Sequence, residues 1–103
     1  MTRPVAFLPA ARAELFHAIE AVEALSGLGA AFRDRAERLK GAIGRAPEAH
    51  ALDPDAPEGL EARRARIGRY PWRLVYLVEG ERVLVVAVAH VAREPLYWLH
   101  RLG

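Results

Sequence analysis

The side chains best suited to chemistry crowd into the C-terminal part of the sequence: Arg63, Arg64, Arg66, Arg69 and Arg73, then His90, Arg93, Tyr97, His100 and Arg101. A guanidinium is a planar fork that grips carboxylate or phosphate bidentately. It stays protonated near neutral pH, so it stabilises negative charge but is a poor general base. In an extended strand Arg64 and Arg66 share one face, with Arg63 and Ala65 on the other. Two such groups about 7 Å apart on one face match adjacent phosphates, and Trp72, Tyr97 and Trp98 offer planes on which bases can stack. The pattern suits RNA, DNA or an acidic peptide. It suits equally a solvated face paired with Glu61, Glu79 and Glu81. His90 closes an apolar run on the face of Val86 and Val88, and an imidazole of pKa about 6.5 can act as acid or base. Arg93, three residues on, is placed to stabilise charge developing on phosphorus. A capped structural histidine at a strand end accounts for the same pattern.

Other chemistries are excluded or unsupported. The chain has no cysteine, which removes disulfides, thiolate nucleophiles and cysteine-ligated metal. His17 and His50 have no partner at ligand spacing, so no metal is expected, and no cofactor. There is no Gly-rich phosphate loop. The single serine, Ser26, stands at a helix end where turn duty explains it.

Positioning these residues requires elements whose pattern is readable. Val5 to Leu8 predicts a short strand, and Pro9 suits the first turn of a helix. Leu15, Ile19, Val22 and Leu25 recur at helical spacing until Ser26-Gly27-Leu28-Gly29 supplies a stop. Phe32, Ala36, Leu39 and Ile43 repeat the pattern until Pro47. The two helices therefore fold back as an antiparallel hairpin. Their apolar stripe reads first as core, while its rim, with Ala30, Ala31, Ala36 and Ala42, offers a groove for a partner helix. Ala46 to Gly59, with Pro47, Pro54 and Pro57, reads as an exposed loop. After it the period changes to two, predicting strands over Leu60–Ile67, Trp72–Val78 and Val83–His90. Val83 to Ala89 does not alternate, as expected of a strand buried on both faces.

The expected architecture is a single α+β domain over residues 1–103: a short N-terminal strand and a helical hairpin packed on a three- to four-stranded, mainly antiparallel sheet. A chain of 103 residues can bury a real core without disulfide support. The apolar run Val83 to Ala89 is far shorter than the about 20 residues that span a bilayer. Arg12 and Glu14 interrupt the N-terminal apolar stretch, so a signal peptide is not expected. The expectation is a cytoplasmic protein with no membrane association. The net charge of +2 hides a division. Residues 1–62 carry seven Lys or Arg against ten Asp or Glu, and residues 63–103 carry eight against three.

Taken in order, Phe7-Leu8-Pro9-Ala10 running into Glu14-Leu15, Gly27-Leu28-Gly29 with Phe32, the Pro47 break, Arg63-Arg64, Arg69-Tyr70-Pro71, Tyr76 and Val78, and the run from Ala87 through His90 and Arg93 to Pro95 and Trp98 make a combination of some specificity. Across nearly its whole length the chain resembles the RelE/ParE superfamily of toxins from bacterial type II toxin-antitoxin modules, also called plasmid-stabilisation proteins. The resemblance implies a growth-arresting toxin held inactive by a cognate antitoxin whose C-terminal segment wraps it. Two activities occur in the superfamily: RelE-like cleavage of messenger RNA on the ribosome, and ParE-like poisoning of DNA gyrase. For the first, Arg69 and Arg93 fall at phosphate-binding positions, with His90 or Tyr97 for proton transfer. Against it, no lysine lies in that half and Glu61 is the one carboxylate near the second strand. Arg63, Arg64, Arg66 and Trp72 are then the expected target-binding residues, and Leu15, Ile19, Val22, Phe32 and Leu39 the antitoxin-binding ones. A different class, a non-toxic basic nucleic-acid-binding module, uses the same arginine face.

Overall fold

In a computed structural model describing residues 1–103, strand β1 (Val5–Phe7) leads into helices α1 (Pro9–Ser26) and α2 (Gly29–Arg45). Strands β2 (Arg63–Arg66), β3 (Trp72–Glu79) and β4 (Arg82–His90) follow. They form one sheet in the order β1-β4-β3-β2, with β1 parallel to β4 and the other pairings antiparallel. Pro9 opens α1, where its missing N–H costs nothing. Gly27 ends it with a φ of 71°, its N–H donating to the Glu23 carbonyl, a left-handed cap that glycine adopts without strain. The Glu23 carboxylate then accepts the Gly29 N–H at 3.1 Å, so one residue serves the end of α1 and the start of α2. At the far end of α2, Arg3 N–H donates to the Gly44 carbonyl at 2.8 Å.

The core between hairpin and sheet is built from Ala18, Val22, Phe32 and Ile43 against Ile67, Leu74, Tyr76, Val85 and Val88. Phe32 meets Tyr70 and Trp72 edge-on, with ring centroids at 4.9 and 5.7 Å. The opposite sheet face is covered as well: Val75, Val86 and Ala87 pack with Ala62 and Trp98, flanked by Leu60, Leu96 and Leu102. The non-alternating run in β4 is thus buried on both sides, and the second cover is the C-terminal segment, which ends in a 3-10 turn, Leu99–Leu102.

Four expectations are corrected. β2 is shorter than Leu60–Ile67, since its ladder with β3 runs only from Arg63 to Arg66; its outer edge pairs with the preceding loop, where Leu52 bridges Arg63 and Asp53 N–H donates to the Ala62 carbonyl. That loop is not wholly exposed. Pro47 and Asp53 are buried, and the Tyr76 hydroxyl donates to the Pro47 carbonyl at 2.6 Å. In β4 the pairing runs Val75 to Ala87 but Tyr76 to Val85, leaving Val86 as an inserted residue, a β-bulge. The bulge inverts the phase, so His90 shares a face with Val88 and not with Val86. Finally, the apolar stripe expected to meet an antitoxin is turned inward. Val22 and Phe32 are buried, and the half-buried Leu15, Ile19 and Leu39 pack against the same core. The hairpin's exposed large apolar residues are instead Phe16, Leu25 and Leu28.

Candidate interaction site

The alternation of β2 and β3 sorts the arginines. Ala65 and Leu74 enter the core, so Arg64, Arg66 and Arg73 stand on the face away from the helices, with Arg66 directly across from Arg73. Burial, followed by the neighbouring Arg64 charge, holds the Arg73 guanidinium below its ordinary pKa. A pocket of about 230 Å³ on this face gathers Arg64, Arg73 and Arg93, with Asp53, Asp55 and Glu94 in the same lining. Asp53 lies 3.7 Å from Arg64. Carboxylates therefore match guanidiniums in number, and they are not the acids expected: Glu79 pairs with Arg82 at 3.2 Å.

The other expected target-binding residues are engaged elsewhere. Arg63 points to the helix side and donates to the carbonyls of His50, at 2.7 Å, and Glu48, at 3.4 Å, pinning the turn after α2. Arg66 donates to the carbonyls of Tyr70 and Arg69 at 2.7 and 3.4 Å, closing the turn that leaves Arg69 exposed. Trp72 packs on the helix face beside Phe32 and so is no stacking platform for the arginine face.

His90, Arg93 and Tyr97 do come together. His90 is exposed, its ring lies edge-on to Trp72 at 4.9 Å, and its Nδ1 accepts the Ala92 N–H at 3.0 Å. The Arg93 guanidinium stacks over the Tyr97 ring at 3.9 Å. The Tyr97 hydroxyl donates to Glu14 Oε2 at 2.7 Å. Glu14 is the hub. It accepts two hydrogen bonds from Arg101, at 2.8 and 3.0 Å, and the Val88 N–H at 3.1 Å, while Arg101 also donates to the Val86 carbonyl at 2.9 Å.

The physical reason for this hub is the unequal length of the strands. β1 ends opposite Val85, where the Leu8 N–H meets the Val85 carbonyl, but β4 continues to His90. Past Val85 the Val86 carbonyl and Val88 N–H have no strand beside them. Glu14 from α1 and Arg101 from the C-terminal segment satisfy them, as buried backbone groups require. Burial raises the Glu14 pKa, yet the hydrogen bonds from Arg101, Tyr97 and Val88 outweigh it and hold the carboxyl below its ordinary value. Burial and the bond to Glu14 push the Tyr97 phenol well above its ordinary range. The bond to Glu14 likewise raises Arg101.

Glu14 reads from sequence as one polar position on an amphipathic helix, and Arg101 as one member of a basic cluster. They lie 87 residues apart, so no local spacing joins them. The unpaired stretch of a strand longer than its neighbour is the signal that would, and strand lengths are the part of the sequence reading with the least definition.

Eight solved chains match this fold. One, from a chromosomal ParDE toxin-antitoxin system of P. aeruginosa, has a TM-score of 0.67 and 18% identity, over 86% of this chain and 96% of that one. A search of curated protein sequences returns no match. The architecture is the small α+β fold shared with that solved chain. Residues 5–95 match the profile described as ParE toxin of type II toxin-antitoxin system, parDE, and the chain belongs to that family. It is the toxin component of such a system, with an antitoxin as its partner. No helix of the fold is long and apolar enough to cross a membrane.

Proposed function

We propose that the chain arrests growth by engaging DNA gyrase, as a ParE-like poison, and not by cleaving messenger RNA on the ribosome. The observation that carries this reading is that His90 and Tyr97, the expected proton-transfer groups beside Arg93, and Glu14 behind them are already committed to the fold. Ribose 2′-hydroxyl attack on phosphate needs a general base within hydrogen-bond reach, with a pKa near the working pH. The His90 lone pair at Nδ1 is occupied by the Ala92 N–H. Tyr97 is tied to Glu14 and held protonated far above neutrality. Glu14 itself accepts from Arg101, Tyr97 and Val88.

Electrostatics support the same reading. A groove for RNA phosphate carries a surplus of cations, whereas the pocket of Arg64, Arg73 and Arg93 contains Asp53, Asp55 and Glu94 in equal number. Mixed charge of this kind favours a protein surface, where complementary pairs set register and partner choice. Arg69, Arg93 and Arg64 are the proposed target-facing residues, with His90 as a neighbour and not a base.

The test offers the purified protein two substrates in parallel: gyrase with supercoiled DNA, and ribosomes programmed with messenger RNA. Trapped DNA breaks with intact transcript are expected. Transcript cleavage that depends on the protein overturns the proposal.

A further inference from the structure

The turn between β2 and β3 carries charge of a different kind from the pocket of Arg64, Arg73 and Arg93. Arg66 donates to the carbonyls of Tyr70 and Arg69 through Nε and Nη2, with Arg69 at the exposed tip. Arg35, exposed on α2, reaches the same turn and packs its guanidinium on Gly68: a Cβ there would lie 2.9 Å from Arg35 Nε and 3.3 Å from Nη2. Gly68 holds a φ of 55°, which glycine adopts freely, so the turn is shaped for the close approach of this arginine. Three guanidiniums from two parts of the chain thus meet at one corner. No acid answers them. The ion pairs of the fold join Arg64 to Asp53, Arg82 to Glu79 and Arg101 to Glu14. Asp34 and Glu37, one and two residues from Arg35 in α2, point to other sides of the helix.

We infer that this corner, Arg35 with Arg69 and the added charge of Arg66, is a contact for the phosphate backbone of duplex DNA. A surplus of cations is the mark of a surface that grips phosphate, and the pocket of Arg64, Arg73 and Arg93, balanced by its own acids, lacks it. Arg35 and Arg69 keep their donors free, since the guanidiniums that donate within the fold belong to Arg3, Arg63, Arg66, Arg82 and Arg101. Two free forks suit two phosphates; Arg66, with two nitrogens spent, contributes charge and not a fork. The nearby rings separate duplex from single strand. Proteins that hold unpaired bases stack them on exposed aromatic planes, but Tyr70 and Trp72 pack inward, edge-on to Phe32 at 4.9 and 5.7 Å. With no plane for a base, the corner reads backbone alone.

The role of the contact rests on the gyrase reading. An enzyme holding duplex DNA presents protein and phosphate side by side, and the toxin meets the first with its mixed-charge pocket and the second with this corner. The contact itself is measured without the enzyme, so the two fail separately.

The test titrates the full chain with a DNA duplex of two helical turns, with its single strand and with the RNA duplex of the same sequence, and follows backbone amide signals. Expected are shifts at Gly68, Arg69 and the turn of α2 around Arg35, with the DNA duplex bound more tightly than the single strand and at least as tightly as the RNA. Affinity should fall roughly 10- to 40-fold between about 50 and 200 mM salt, as two to three phosphate contacts require. Arg35→Ala and Arg69→Ala should each weaken binding at least about threefold and reduce the salt slope by about 1. Arg45→Ala, the same loss of charge at the far end of α2, should not. The variants are judged folded by unchanged amide signals in β4 and α1. The inference is overturned if the three variants weaken binding alike, if the single strand binds as tightly as the duplex, if the RNA duplex binds more tightly than the DNA, if the shifts fall on Arg64 and Arg73 instead, or if none is seen at millimolar duplex and low salt. Duplex binding with no trapped breaks in the gyrase assay refutes the gyrase reading and leaves this site standing.

Discussion

Replacing Glu14 with alanine removes the acceptor for three donors at once: the Arg101 guanidinium, the Tyr97 hydroxyl and the Val88 N–H. Hydrogen bonds to charged groups contribute about 1.5–3 kcal/mol each, and stripping one partner from a buried ion pair costs about 3–5 kcal/mol. The two side chains keep 15% and 18% of their surface in water, so water partly replaces the lost partner and the low end applies. We expect Glu14→Ala to destabilise the fold by about 3 kcal/mol. For a domain of this size that lowers Tm by roughly 12 °C or more. Glu14→Gln keeps one acceptor oxygen and should cost about half as much. Urea unfolding followed by tryptophan fluorescence is the assay, since Trp98 is buried in the segment that this hub secures. A double-mutant cycle with Arg101→Ala should return a coupling of about 1.5 kcal/mol or more. If Glu14→Ala falls within about 0.5 kcal/mol of the parent, the range of ordinary surface changes, the hub does not hold the C-terminal segment and the reasoning fails. The pH dependence carries a sign. Glu14 has a lowered folded pKa, so its contribution is present above its ordinary value of about 4.3 and is lost as pH falls through the folded value. Glu14→Gln should flatten that acid limb.

Tyr97 works in the opposite sense. Its folded pKa is raised by burial and by Glu14, so its contribution is full below about pH 10 and is lost as pH rises. Tyr97→Phe should shrink the alkaline loss of stability, and the remainder belongs to Tyr76, which burial also raises. Phe32→Ala empties the centre of the aromatic cluster with Tyr70 and Trp72 and should cost about 3–5 kcal/mol, read by the same urea series. A Cβ at Gly44 would lie 2.8 Å from the Arg3 carbonyl oxygen, so Gly44→Ala should cost about 1–3 kcal/mol by pushing the N-terminal segment away. Arg69→Ala, at an exposed turn, should leave stability within about 0.5 kcal/mol while weakening growth arrest; full toxicity in a folded variant removes Arg69 from the target surface.

Periodicity carried most of the fold. Leu15, Ile19, Val22 and Phe32, Leu39, Ile43 define two helices because a 3.6-residue repeat survives any tertiary arrangement. The unbroken run in β4 announced burial on both faces. The same signal could not say what lay on the second face, because Trp98 reaches it from a segment with no repeat of its own. Nor could it separate a stripe used for packing from one used for a partner, since both demand the same residues; burial decides, and it turns Val22 and Phe32 inward. The Val86 bulge is invisible for a related reason. In a strand apolar on both faces, a slip of phase changes which valine faces the helices without changing the pattern. At the site, His90, Arg93 and Tyr97 are near one another in sequence and were legible as a group. Their anchor at Glu14 comes from α1, and only the folded chain brings it close.

The sheet's closure also has an order in time. β1 is made first, but its partner residues Val83, Leu84 and Val85 come almost the whole chain later, and the Glu14 carboxylate waits longer still for Arg101. A nascent chain can therefore form its helical hairpin from local contacts while its sheet stays open. Contacts spanning this much sequence slow folding, and synthesis proceeds at only about 5–20 residues per second. Until Arg101 has been made, neither the second sheet face nor the end of β4 is finished.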